Sequence, residues 1–202
     1  MSLIDSRLQV LLARRAQAPY AGKWALPGGV LRIDLDANLE DAARRVMRER
    51  LGVDLPFIRQ LQAIGGRARD PRAPWAVSIV YRGLVPFDRI QAKPGKRIEA
   101  LRWWPADDLP GERDIAFDHA ALIRDALGVT RDAVERLELP VEFLPLEFTL
   151  GELQELCGQL LGRRLDKSSF RRRLKEAALV KAIDGKMRTG PFRPAQLYGI
   201  NK

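Results

Sequence analysis

The sequence predicts an α+β protein in two parts. The first is a body of mixed strands and helices over residues 1–140. The second is a tail over 141–202 that runs helix, turn, helix, hairpin. Three observations carry this. Runs of strand-like and helix-spaced apolar residues alternate along the body. The tail sets two helical patterns directly ahead of two short strand candidates. Charge is also unevenly placed: of the net +9, residues 147–202 hold 12 Lys/Arg against 6 Asp/Glu, and the rest of the chain is close to balance. A basic tail on a near-neutral body is the profile of a segment that meets a polyanion.

The opening Met1-Ser2-Leu3 reads as a leader ahead of the first strand. Leu8 to Ala13 is apolar but for Gln9, the pattern of a strand buried on both faces, and Arg14 and Arg15 follow it. Pro27-Gly28-Gly29 marks a tight turn. A helix is expected from Leu39 to about Leu51, because Leu39, Ala42, Ala43, Val46 and Met47 recur at helical spacing. Asn38 is its N-cap, Asp41 lies three residues on, and Gly52 is its C-cap. Strands are expected at Arg59–Ile64, Ala76–Val85 and Ala100–Trp104. A second helix at about His119–Leu127 leads into a linker rich in Leu, Pro and Glu at Leu139–Glu147.

In the tail, Thr149-Leu150-Gly151-Glu152 is a capping box opening a helix with Leu150, Leu153, Leu156, Cys157, Leu160 and Leu161 inward. Asp166 caps a second helix from Lys167 to about Ala178, with Phe170, Leu174, Ala177 and Ala178 on one side. Val180–Ile183 and Gln196–Ile200 are short strand candidates around a basic segment, 184–194. This is the plan of a winged helix-turn-helix domain. Opposite the apolar side of the second helix stand Ser168, Arg172 and Lys175, with Arg171 and Arg173 flanking and Lys167 at the start. Such a helix fits a major groove, where Arg suits guanine edges and Lys and Ser suit phosphates. Lys186, Arg188 and Arg193 extend the basic surface along the hairpin. The alternative for Arg171-Arg172-Arg173 is a solvated face with no partner.

Other chemistries find little support. Cys157 is the lone cysteine, lies in an apolar helical pattern and excludes an intrachain disulfide. His119 is the lone histidine, and with no nucleophile placed beside it a packing role is expected. No apolar run reaches the length needed to cross a bilayer and no signal peptide is evident, so a cytoplasmic protein without membrane contact is expected.

The segments Trp24-Ala25-Leu26-Pro27-Gly28-Gly29, Ala42-Ala43-Arg44-Arg45 and Leu51-Gly52-Val53 resemble the Nudix family. The resemblance implies a Nudix-type α/β/α sandwich with a mixed sheet. In that family a loop-helix-loop box carries glutamates that bind Mg²⁺, which holds a diphosphate and activates water. Counted back from Gly52, Arg45 matches the box arginine, Val46 stands where a Glu is expected, Glu49 matches, and Arg50 replaces a second Glu. The earlier Glu position falls on Ala37 and the opening Gly on Leu31. Glu40 and Asp41 sit on the first turn, where carboxylates serve the helix dipole. The expectation is a non-enzyme with no catalytic residues, no metal site and no required cofactor.

A narrower resemblance is to the Nudix-related transcriptional regulators of NAD metabolism. It is carried by Arg69-Asp70-Pro71-Arg72 with Val77–Tyr81, Phe117-Asp118-His119-Ala120, Phe148–Leu153, Leu165–Arg172 and Arg193–Tyr198. Gly190-Pro191-Phe192 departs from that family's Gly-Arg at the wing tip. The resemblance implies a repressor that senses ADP-ribose or a related nucleotide without cleaving it, and a homodimer on a palindromic operator in double-stranded DNA. It also places a ligand near Arg69, Asp70 and Arg72, for which a capped turn is the alternative. Arg14 and Arg15 are candidates to meet a diphosphate or to form surface ion pairs, and Tyr20 and Trp24 to stack on an adenine or to pack. The competing reading is a Mg²⁺-dependent hydrolase of ADP-ribose or another nucleoside diphosphate with an appended tail, its metal held around Glu40, Asp41 and Glu49.

Overall fold

The computed structural model describes residues 1–67 and 69–201, with Phe192 described by its backbone alone. Two compact units are present, Met1–Val129 and a second from Thr130 onward. The first contains β1 (Ser2–Ile4), β2 (Arg7–Arg15), β3 (Trp24–Ala25), α1 (Leu39–Leu51), β4 (Arg59–Gly66), β5 (Ala76–Arg82) and β6 (Ile98–Pro105). Helix α2 (His119–Glu135) crosses the division. The second unit continues with β7 (Phe148–Thr149), α3 (Leu150–Leu161), α4 (Lys167–Glu176), β8 (Val180–Gly190) and β9 (Phe192–Ile200).

β2 is the axis of the first unit. It pairs antiparallel with β1 and β3 and, along seven residues, with β6; a single parallel bridge joins Trp24 to Ile115. Its apolar run is buried on both sides, as the sequence required. Leu11 packs with Leu51, Val53, Leu55 and Val85, joined by Met47, Leu101 and Trp103, on the face covered by α1. Val10 and Leu12 pack with Ile123 of α2, Trp24, Leu26 and Trp104 on the other. Helix on sheet on helix is the sandwich expected from the sequence. β4 and β5 form a separate two-stranded ribbon.

Four local readings change. Ser2–Ile4, where a leader ahead of the first strand was expected, is itself a strand: it pairs with Arg7–Gln9, and Ser2 is fully buried. α2 runs eight residues past the expected Leu127, because buried Thr130 and Val134 continue the spacing set by Ile123 and Leu127. α4 stops at Glu176, so Ala177 and Ala178 fall past its end and are exposed. The segment 184–194, expected as the basic tip between two short strands, is mostly strand: β8 and β9 reach almost to each other at Pro191.

In the second unit β9 lies between β7 and β8. Phe148, Leu153, Cys157, Leu160, Phe170, Leu174 and Leu197 are buried. Thr149 and Glu152 close the capping box in both directions, at 3.1 and 2.7 Å. Asp166 Oδ1 accepts the Ser169 N–H at 2.8 Å and opens α4. The β8–β9 register slips between Ala182 and Met187, and the Gln196 side chain fills the bulge by donating to Ile183 O and Lys186 O. Among the described residues, no helix is long and apolar enough to cross a membrane.

Candidate functional site

Helix α1 is held at both ends. Asn38 Oδ1 accepts the Asp41 N–H at 2.9 Å, and Gly52 closes the helix in the left-handed conformation. The N–H groups of Lys93, Gly95 and Lys96 satisfy the last carbonyls, Leu51 O, Arg50 O and Glu49 O, at 2.8–3.0 Å. Arg45 forms a bidentate pair with Asp36, at 2.7 and 2.9 Å, and donates to Val30 O. That hydrogen-bonded pairing holds the Asp36 carboxyl down to about 2. Val46 is buried against the Pro-Gly-Gly turn: a Cβ on Gly29 would come within 2.7 Å of its Cγ2. Arg50 reaches back to the same turn, Nε to Gly28 O at 3.2 Å and Nη1 to Lys96 O at 2.6 Å.

A divalent cation needs several oxygen ligands, at least some of them anionic. Here Glu49 faces Arg45 at 3.4 Å, Glu40 is paired with Arg44, and Arg50 and Val46 occupy the other box positions. Among the described residues no three His, Cys, Asp or Glu side chains converge on a common point. The residues present do not fit Mg²⁺.

Beside this helix lies a cluster of cationic side chains in the first unit. Arg15 ends β2; its Nε donates to Pro19 O at 2.7 Å and its guanidinium lies 5.1 Å over the Phe117 ring. Burial and the neighbouring charges of Arg72 and Arg50 push its pKa down from the ordinary arginine value. Tyr20, exposed and with φ of 61°, meets Phe117 edge-on at 4.7 Å. Arg14 donates to Gly22 O and pairs with Glu99 at 3.3 Å. Trp24 packs edge-on against Trp104 at 6.0 Å within the core cluster, which matches the packing alternative for this residue.

Arg69 is engaged on all sides. It grips Asp118 through two hydrogen bonds at 2.7 and 3.1 Å and donates to Ile64 O and Ser78 Oγ. It thereby ties the ribbon to the start of α2, and its hydrogen bonds hold the Asp118 carboxyl below the usual carboxylate range. Asp70 caps the turn through the Arg72 N–H at 2.9 Å and pairs with the Arg72 guanidinium, which lowers its pKa to about 2. The capped turn is therefore formed, and Arg72 still adds its charge to the Arg15 neighbourhood. His119 is half-buried; its Nδ1 accepts the Leu26 N–H at 2.9 Å, and desolvation lowers its pKa to about 4. Cys157 is buried in α3 and its thiol is pushed up to about 12, so it is inert at neutral pH.

Phe117 and Arg97 join this cluster without having been singled out as site residues. Phe117 was visible only as part of a motif. Arg97 gave no local signal, because a register contact, the Ala16 N–H to Arg97 O at 3.1 Å, brings it there.

The second candidate surface is α4. Phe170 and Leu174 turn inward, while Lys167, Ser168, Arg171, Arg172 and Lys175 are exposed. Arg173 instead donates to Glu135 O. On the hairpin Arg193 is exposed, but Lys186 pairs with Glu147 and Arg188 with Glu152 at 3.3 Å.

Known proteins resemble this chain over both units. The NUDIX domain model matches residues 1–126, and the NrtR DNA-binding winged helix domain model matches 140–200. The chain is 36% identical to the ADPR responsive transcriptional repressor NtrR of Acinetobacter baylyi, over 98% of this chain and 77% of that protein. The crystal structure of Shewanella oneidensis NrtR complexed with a 27mer DNA superposes with a TM-score of 0.76 at 34% identity, covering 99% of this chain and 90% of that one. The NUDIX domain of the same Shewanella protein complexed with ADP ribose gives a TM-score of 0.57 at 32% identity, covering 63% and 81%. The chain belongs to the NUDIX family, in the NrtR-like branch that joins the NUDIX domain to a DNA-binding winged helix domain.

Proposed function

We propose that this protein is a DNA-binding transcriptional repressor of NAD or related metabolism, whose NUDIX domain senses ADP-ribose or a similar nucleotide without hydrolysing it. The observation that carries the DNA-binding half is α4, which turns Phe170 and Leu174 inward and sets Lys167, Arg171, Arg172 and Lys175 outward on a capped, rigid frame. Lys167, Ser168, Arg171, Arg172 and Lys175 meet the major groove; Arg193, and Lys186 and Arg188 once their carboxylate partners yield, reach flanking phosphates. Residues 1–140 form the sensing part and 141–202 the DNA-binding part. A homodimer places two such helices on a palindromic operator in double-stranded DNA. Arg14, Arg15, Tyr20 and Arg72 line the effector site, with Arg69 and Asp70 shaping it and Trp24 supporting it from the core. The cytoplasm is the compartment that fits this work.

The test is fluorescence anisotropy of labelled DNA from the gene's own upstream region, at fixed salt, with and without ADP-ribose. Selective binding that ADP-ribose shifts about tenfold, about 1.4 kcal/mol of coupling, is expected. Mg²⁺-dependent release of AMP that disappears in Glu49→Gln would overturn the non-enzymic reading.

A further inference from the structure

The Arg50 side chain stands where the family's pattern has a metal-binding glutamate, and it is not alone. Arg15 lies opposite Ile98 in the β2–β6 register, Ala16 just past the end of β2 donates its N–H to Arg97 O, and Arg50 Nη1 donates to Lys96 O. Three arginines are thus anchored within two residues of one another at the start of β6. Arg45, Arg69 and Arg72 each hold an aspartate, but among the described residues no carboxylate pairs with Arg15, Arg50 or Arg97. Partly buried like charges repel one another, and both Arg15 and Arg50 are pushed down from the ordinary arginine value by burial and by neighbouring guanidiniums, with Asp70 and Glu49 offsetting only part of this. Arg97, Tyr20 and Phe117 all carry left-handed backbone, with φ of 60°, 61° and 58°, at this same place. Strain of this kind is held only where the surroundings enforce it.

We infer that Arg15, Arg50 and Arg97 form an anion seat that takes the diphosphate of a nucleotide with no divalent cation, Arg50 supplying the charge that a metal would otherwise bring. This rests on the effector reading above and deepens it. Guanidinium groups offer planar, paired donors to phosphate oxygens. The two hydrogen bonds from Arg50 to Gly28 O and Lys96 O hold its side chain in place, so little rotamer freedom remains to be lost on binding. The Phe117 and Tyr20 rings beside Arg15 give the attached nucleoside an apolar wall.

The experiment is calorimetric titration of the full chain with ADP-ribose, ADP and inorganic pyrophosphate, with adenosine as the uncharged control, in EDTA and in excess Mg²⁺. Binding of ADP-ribose is expected to agree within about twofold in the two buffers. Arg50→Gln should weaken it at least tenfold while the variant remains folded at the assay temperature by circular dichroism, and Arg50→Lys should restore part of the loss. If Arg50→Gln fails to fold, Arg15→Gln and Arg97→Asn carry the test, since Asn tolerates the left-handed backbone at 97. A tenfold gain in affinity from Mg²⁺ overturns the inference, as does wild-type affinity in all of the variants. Binding of ADP or pyrophosphate that depends on Arg50, without binding of ADP-ribose, leaves the seat standing and removes the effector. No binding by any of the three removes both.

Discussion

Acidification should destabilise the first unit through His119. Its Nδ1 accepts the Leu26 N–H, and burial lowers its pKa to about 4, against about 6.5 in an unfolded chain. A proton on Nδ1 would aim a donor at a donor, with Arg15 and Arg69 adding repulsion and Asp118 opposing it. Because the folded value is the depressed one, the stabilising contribution is fully present above 6.5. It is lost as pH falls toward 4, where the unfolded chain binds the proton and the folded one does not. The loss amounts to about 2 kcal/mol at pH 5 and about 3 kcal/mol at pH 4. Urea unfolding followed by tryptophan fluorescence isolates it, since all four tryptophans, at 24, 75, 103 and 104, belong to the first unit. His119→Gln keeps an acceptor for Leu26 but does not titrate. Aspartates such as Asp36 and Asp70, whose contributions fade only at lower pH, are common to both proteins and cancel. Equal pH dependence in wild type and His119→Gln between pH 7 and 4.5 would refute the reasoning.

Arg172→Ala combined with Lys175→Ala should abolish operator binding at matched salt while ADP-ribose titrates as in the parent; anisotropy and calorimetry check the two halves. Asp166→Ala removes the hydrogen bond that opens α4 and should lower the stability of the second unit by about 1 kcal/mol, measured by denaturant unfolding. Gly29→Ala drives a methyl into Val46 and should cost about 1–3 kcal/mol, relieved when Val46→Ala is added in a double-mutant cycle.

Helix α1 was legible to the residue because three signals agree there: helical apolar spacing, an Asn cap and a closing glycine. β2 was legible because a strand covered on both faces carries apolar residues at consecutive positions, here Val10 to Ala13. The β8–β9 hairpin was legible in outline but not in length, since most of β8 is exposed and no alternation marks its outer half as strand. α2 was cut short because Gly128 and a buried Thr130 interrupt the apolar pattern. For the site, the exposed cations of α4 followed from helical geometry alone. The convergence of Arg15, Arg50 and Arg97 did not, because strand register and a loop wrapped over the end of α1 bring together positions far apart in sequence.

The fit of Val46 into the Pro-Gly-Gly turn works as a clamp. A carboxylate returned to position 46 would arrive in an apolar socket already moulded around a branched side chain, while the arginine at 50 continued to hold Gly28 from the other side. The turn is thus gripped from two directions, by packing at 46 and by a hydrogen bond from 50, so that a change at either position is transmitted to the other through the backbone of residues 28 and 29.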